Sequence, residues 1–309
     1  MFQQATFMND IQIDKARRQG ELIICPYNEN NLTPVGYNLS FSRFIISLRK
    51  RAFIKIEHER DKWFFYLKPH ETVLVLTRET IWVSKFIGGT FHSKVSLVTK
   101  GLGHVSTTID PGWHGQLLVP LNNPTKGKIK IVIAHDGENG KIFETFITMV
   151  LFRSQEASLT EKSDNKSARI ELLEEILEEN KRKNRDAQYL WEFIQKLKAS
   201  VGTMEVFADL NDPTDRKEKI KIFQREHIKM ITEMDNEFER INKFSCKMYN
   251  KRRVGFGVTI MAILTVFLSI IVCVYVKGNR TSQDIVIGFV AVISPFISWA
   301  LGYVSDKYI

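Results

Sequence analysis

Cysteine is scarce in this chain. Three of 309 residues, Cys25, Cys246 and Cys273, carry thiols, and no two of them form a CxxC pair. Neither a disulfide framework nor a thiolate zinc site therefore has support, and three reduced thiols in or beside a cytosolic compartment are expected. No basic-plus-apolar segment with a cleavage site opens the chain, so no signal peptide is read. Charge of either sign is missing from two stretches, "VGFGVTIMAILTVFLSIIVCVYV" (254–276) and "IVIGFVAVISPFISWALGYV" (285–304). Uncharged runs of that length are long enough to cross a bilayer as helices, and two transmembrane spans are expected there. Lys247, Lys251, Arg252 and Arg253 precede the first run, whereas the connecting "KGNRTSQD" holds two basic residues and one acid. The positive-inside rule then places the N-terminal region and the C-terminus in the cytoplasm, at the inner membrane.

Composition bounds the rest. Hydrophobic residues make up 44% and charged residues 26%, which supports a packed core and excludes a wholly disordered chain. The formal net charge of +9 permits contact with phosphate, anionic lipid or nucleic acid. Because part of the excess flanks an apolar run, it reads first as membrane topology, and a nucleic-acid partner is not expected.

Three textures divide the chain. Residues 1–153 carry short β-type runs such as "TVLVLT" (72–77), "QLLVPL" (116–121) and "KIKIVIA" (128–134), with "DGENG" (136–140) as a hairpin connection. Residues 154–167 have a linker composition. Residues 168–250 show helical periodicity, and Ile231, Met234, Phe238, Ile241 and Met248 come close to a heptad. Two readings of that region stand side by side: an amphipathic pair packed on itself, and a coiled coil between subunits.

The β-rich region resembles the dCTP deaminase and dUTPase superfamily, nearer the deaminase branch. The segments that carry the likeness are "MNDIQIDKARRQGELIICPYNENNLTPVGYNLSFS" (8–42), "FFYLKPHETVLVLTRETIWV" (64–83) and "SKVSLVTKGLGHVSTTIDPGWHG" (93–115), in the family's order. The resemblance implies a distorted β-barrel or jelly roll that forms trimers with nucleotide sites between neighbours. The expected fold class is thus a dUTPase-like β-domain, then a helical, coiled-coil region, then a two-helix transmembrane hairpin.

Compared with the family pattern, the catalytic equipment is depleted. Where the family reads Arg-Ser-Ser-x-x-Arg, this chain has Lys94, Val95, Ser96, Leu97, Val98 and Thr99. One basic group and one hydroxyl remain, and the planar fork of the second Arg is lost. Lys94, Ser96, Thr99 and Lys100 are the expected phosphate contacts. Asp110 matches the acid that activates water in the dUTPase branch, although an Asp before Pro-Gly also serves as a turn-former. Trp113 is expected near the base. The deaminase branch's catalytic Glu, five residues beyond the Gly-aromatic-x-Gly turn, is replaced by Pro120, which cannot accept and return a proton. His92, His104 and His114 lack the spacing of a metal site. No cofactor is implied, except Mg2+ where a triphosphate is bound.

Three functions follow as expectations. The first is a membrane sensor or effector of a nucleotide or nucleotide-derived messenger, acting through oligomeric transmembrane hairpins and similar in layout to antiviral nucleotide-signalling effectors. The second is a membrane-tethered dCTP deaminase or dUTP diphosphatase. The third is a protein-interaction module at the membrane. A nucleotide, the lipid bilayer and further copies of the chain are the expected partners.

Overall fold

Short runs rich in β-branched and aromatic residues in the first half of the chain form antiparallel strands, and the two longest, Gly36–Ser47 and Thr72–Val83, are buried at nearly every position. The computed structural model describes residues 6–50, 52–104, 106–138 and 140–159, most of 217–239 (Met234 and Glu237 excepted), and the single positions 171, 174, 175 and 195. All of these lie in the first of two units, Met1–Ser245.

The larger sheet has eleven strands. Its main path runs Gly103–His104, His114–Asn122, Thr72–Val83, Gly36–Ser47, Thr145–Arg153, Ile87–Ser93 and Thr107–Ile109. A second sheet orders Gly140–Phe143, Ile129–Gly137, Lys62–Leu67 and Glu57–Glu59. Register shifts between Phe41 and Ile45 and between Gln116 and Leu118 bend the pairs that the strand Thr72–Val83 makes on either side, because unpaired residues raise local twist. The sheet therefore curls over one core, in which Tyr37, Phe41, Phe44, Phe65, Phe91 and Phe146 are fully buried. Phe41 and Phe146 stack at its centre with centroids 4.3 Å apart. The connection at 136–140 is the expected hairpin, with Gly137 opposite Gly140. Residues 142–152 divide at Glu144 into strands of different sheets.

The N-terminal helix Asp10–Gln19 is delimited by local chemistry. Asn9 and Gln12 form a reciprocal capping box, and Gly20 closes the helix at φ 74°, a conformation that glycine adopts without a Cβ clash. Ile13 and Ala16 face the core.

Residues 217–233 are helical, as are 235, 236, 238 and 239. Phe223 packs against Ile23, Cys25 and Trp82. Phe238 meets the rings of Phe53 at 4.7 Å and Phe44 at 6.4 Å edge-on. Charge fixes the same face: Arg78 pairs with Asp235 at 2.8 Å, while Arg43 at 3.3 Å and Lys141 both hold the Glu239 carboxylate. Ile231 and Phe238, read from sequence as heptad positions, are thus turned towards the β-domain.

The expected fold class needs correction. The β-domain is present, but among the described residues no helix is long and apolar enough to cross a membrane. Among the described residues the architecture is a curled β-sheet domain with an added helix that packs against it. The stretches 254–276 and 285–304 lie outside the described residues.

Candidate functional site

The strand Ile87–Ser93 ends in a tight segment whose backbone is held at both sides. The Lys94 N–H donates to Phe146 O, and its carbonyl accepts from Leu97 N at 3.0 Å, opening the short helix Val95–Val98. Leu97 anchors this turn in the core, whereas Ser96, Thr99 and Lys100 are exposed. Gly101 reverses the chain at φ +84°, and a Cβ there would stand 2.7 Å from Thr125 Cγ2. Lys94 is less free than its neighbours, because its Nζ donates to Thr145 Oγ1 at 2.6 Å.

The second group of expected residues sits on a different turn. Trp113 N donates to Asp110 O at 3.0 Å, and Gly112, at φ +81°, donates to Ser84 O at 3.3 Å. The Thr108 hydroxyl bonds Asp110 Oδ1 at 3.4 Å. The Trp113 ring packs against the core, and its buried Nε1 has no hydrogen-bond partner among the described residues.

Strand register separates these two groups. Thr107 lies opposite Phe91 and Ile109 opposite Gly89, so Asp110 follows the Gly88 end of this pair while Lys94 follows the other end. Six residues of extended chain span roughly 20 Å. Within one chain, Lys94, Ser96, Thr99 and Lys100 form one group, and Asp110 and Trp113 another.

The family described as "dCTP deaminase-like" matches residues 7–137. The dCTP deaminase of Pyrococcus abyssi is 31% identical over 109 residues, covering 35% of this chain and 68% of the relative. That of Pyrococcus horikoshii is 27% identical over 145 residues, covering 47% and 84%. The chain belongs to the dCTP deaminase-like family. Among solved structures, the dCTP deaminase of Agrobacterium tumefaciens is similar over 48% of each chain, at 10% identity and a TM-score of 0.36.

In this dCTP deaminase-like domain, Pro120 lies half-buried in the strand His114–Asn122, opposite Leu74 and flanked by the pairs Val119–Val75 and Leu121–Val73. It offers neither an N–H nor an ionisable group at that place. Gln116, on the same strand, is buried and donates to Thr77 O at 2.9 Å. Among the described residues, no group of three or more His, Cys, Asp or Glu side chains could hold a metal ion.

One notable group had no chemical role in the sequence reading. Glu79 is buried, accepts a hydrogen bond from Ser40 N at 2.8 Å, and burial pushes its carboxyl up to about 7. The likeness over 64–83 covers the position but carried no sign that the strand would turn this carboxyl inward.

Proposed function

We propose that this chain binds a nucleotide, or a nucleotide-derived ligand, through its dCTP deaminase-like domain without deaminating it. The observation that carries this reading is Pro120. Deamination of cytosine requires a group that takes a proton from water and passes it on, and proline has none. Against that loss stands an exposed phosphate-type segment with Ser96, Thr99 and Lys100 on one turn, which supports retained binding.

The separation of this segment from the Asp110–Trp113 turn supports a site completed by a second copy. Phosphates would meet the 94–100 segment of one copy while the base approaches Trp113 of another. Such a protein reports nucleotide levels only if the ligand prefers one conformational state.

Product analysis tests the reading directly. The full chain incubated with dCTP or dUTP should release neither ammonia nor pyrophosphate, while a nucleotide raises its melting temperature. Repeated turnover of dCTP would sink the proposal. Pyrophosphate release from dUTP that disappears in Asp110→Asn would replace it with diphosphatase chemistry. Lys100→Ala should reduce the nucleotide-induced shift, since this side chain is exposed and contributes charge rather than packing.

A further inference from the structure

A cavity of about 630 Å³ opens where the N-terminal helix, the end of strand Thr145–Arg153 and the start of the 217–239 helical segment converge. Lys15, Arg18, Arg153 and Lys217 contribute four cations to its lining, against a single acid, Glu21. That acid is already engaged, since both of its oxygens accept from the Arg153 guanidinium, one of them at 2.9 Å. Arg18 is paired with Asp14 at 2.7 Å, and its place in the last helical turn also complements the helix dipole. Neither account covers Lys15 or Lys217, which have no carboxylate partner among the described residues.

Cations from three separate segments repel one another when gathered in one cleft, and two of the four, Lys15 and Lys217, have no carboxylate among the described residues to balance them. The volume is that of a small-ligand site. No aromatic ring lines it, whereas Gln12 and Gln19 do. Such walls suit a hydrophilic anion and give a nucleobase nothing to stack on.

We propose that this cleft is an anion site for a compact polyphosphate group, separate from the Lys94–Lys100 segment and independent of the nucleotide reading above. Lys217 belongs to the helical segment and the other cations to the β-domain. A ligand that bridges them binds the docked helix better than a released one, so occupancy fastens the helix down.

Inorganic triphosphate is the probe, titrated into the full chain carrying Lys100→Ala to weaken the other phosphate segment. The melting temperature should rise and the 217–239 segment should become resistant to protease, with both effects fading as salt screens the charges. Lys15→Glu and Lys217→Glu change exposed side chains, so the fold persists, and each should weaken the apparent Kd at least about tenfold. Lys15→Arg should retain binding. Competition by dCTP would name a nucleotide's phosphate chain as the ligand, and its failure would name the inorganic ion, the site standing in both cases. An absent triphosphate response, an equal response to sulfate at matched ionic strength, or unchanged affinity in both Glu variants overturns the proposal.

Discussion

Glu79 and His227 are buried titratable groups displaced in opposite directions. Burial raises the Glu79 carboxyl from 4.5 to about 7, opposed in part by the Ser40 hydrogen bonds. Burial lowers the His227 imidazole from 6.5 to about 4, and the Arg78 charge adds to the fall. Between pH 4.5 and 7 the folded chain holds a proton at Glu79 that the unfolded chain has released, so this group's contribution to stability decreases as pH rises. Between pH 4 and 6.5 the unfolded chain holds a proton that folded His227 excludes, so this contribution increases with pH. Each amounts to about 3 kcal/mol over its window, and in the overlap they offset one another. Denaturant midpoints measured from pH 4.5 to 6.5 should therefore be nearly flat for the parent chain. Glu79→Gln, whose amide oxygen can still accept from Ser40, should make them rise with pH, and His227→Gln should make them fall. Equal slopes in all three proteins would show that neither displacement operates.

At the scale of elements, the helical segment 217–239 is held by the Phe223 and Phe238 rings, the Asp235–Arg78 pair and the Glu239 carboxylate that Arg43 and Lys141 share. Arg43 is only 4% exposed and lies over the Trp63 ring at 4.6 Å; Glu239 is the carboxylate that faces it. Removing Glu239 leaves a buried guanidinium with a ring but no counter-charge, and Glu239→Ala should cost about 1–2 kcal/mol, less than a fully buried pair because Glu239 itself is partly exposed. Phe238→Ala should cost about 3 kcal/mol by vacating the space its ring fills against Phe44 and Phe53. Both variants should speed proteolysis within 217–239 while the β-domain stays resistant; unaltered cleavage would mean that these contacts do not hold the helix. This docking also marks where sequence reasoning stopped. The β-strands and the hairpin at 136–140 follow from local patterns that a single chain displays, and the motifs at 8–42, 64–83 and 93–115, taken together, led to the family. Ile231 and Phe238 recur at a spacing that serves a coiled coil or a sheet face equally well. Only the position of Arg43, Arg78 and Phe53 in three dimensions decides for the sheet. The basic cleft was illegible for the same reason, since Lys15, Arg153 and Lys217 are distant in sequence and each alone is an ordinary surface charge. The uncharged runs at 254–276 and 285–304 raised an expectation of two spans; those runs lie outside the described residues, among which no helix is long and apolar enough to cross a membrane.

For the whole molecule, the decisive geometry is the strand pair that carries Lys94 past one end and Asp110 past the other. A single nucleotide is too short to use both groups within one copy when they lie roughly 20 Å apart along that pair. A head-to-tail arrangement of copies, in which different surfaces meet, places unlike groups beside each other at every interface. Two variants that fail separately should then complement. Lys100→Ala alone weakens the phosphate side, and Trp113→Ala alone removes the ring expected at the base. Co-expressed and randomly assembled, they generate interfaces in which a Trp113→Ala copy supplies Lys100 and a Lys100→Ala copy supplies Trp113. Each condition holds for half of the subunits, so about one quarter of the interfaces regain both groups. Equilibrium nucleotide binding by the mixed assembly should recover to that fraction, while mixtures prepared from separately purified proteins that do not exchange subunits should show none. No recovery after co-expression, despite confirmed mixed assemblies, would place the whole nucleotide site inside a single copy and contradict the shared-site geometry.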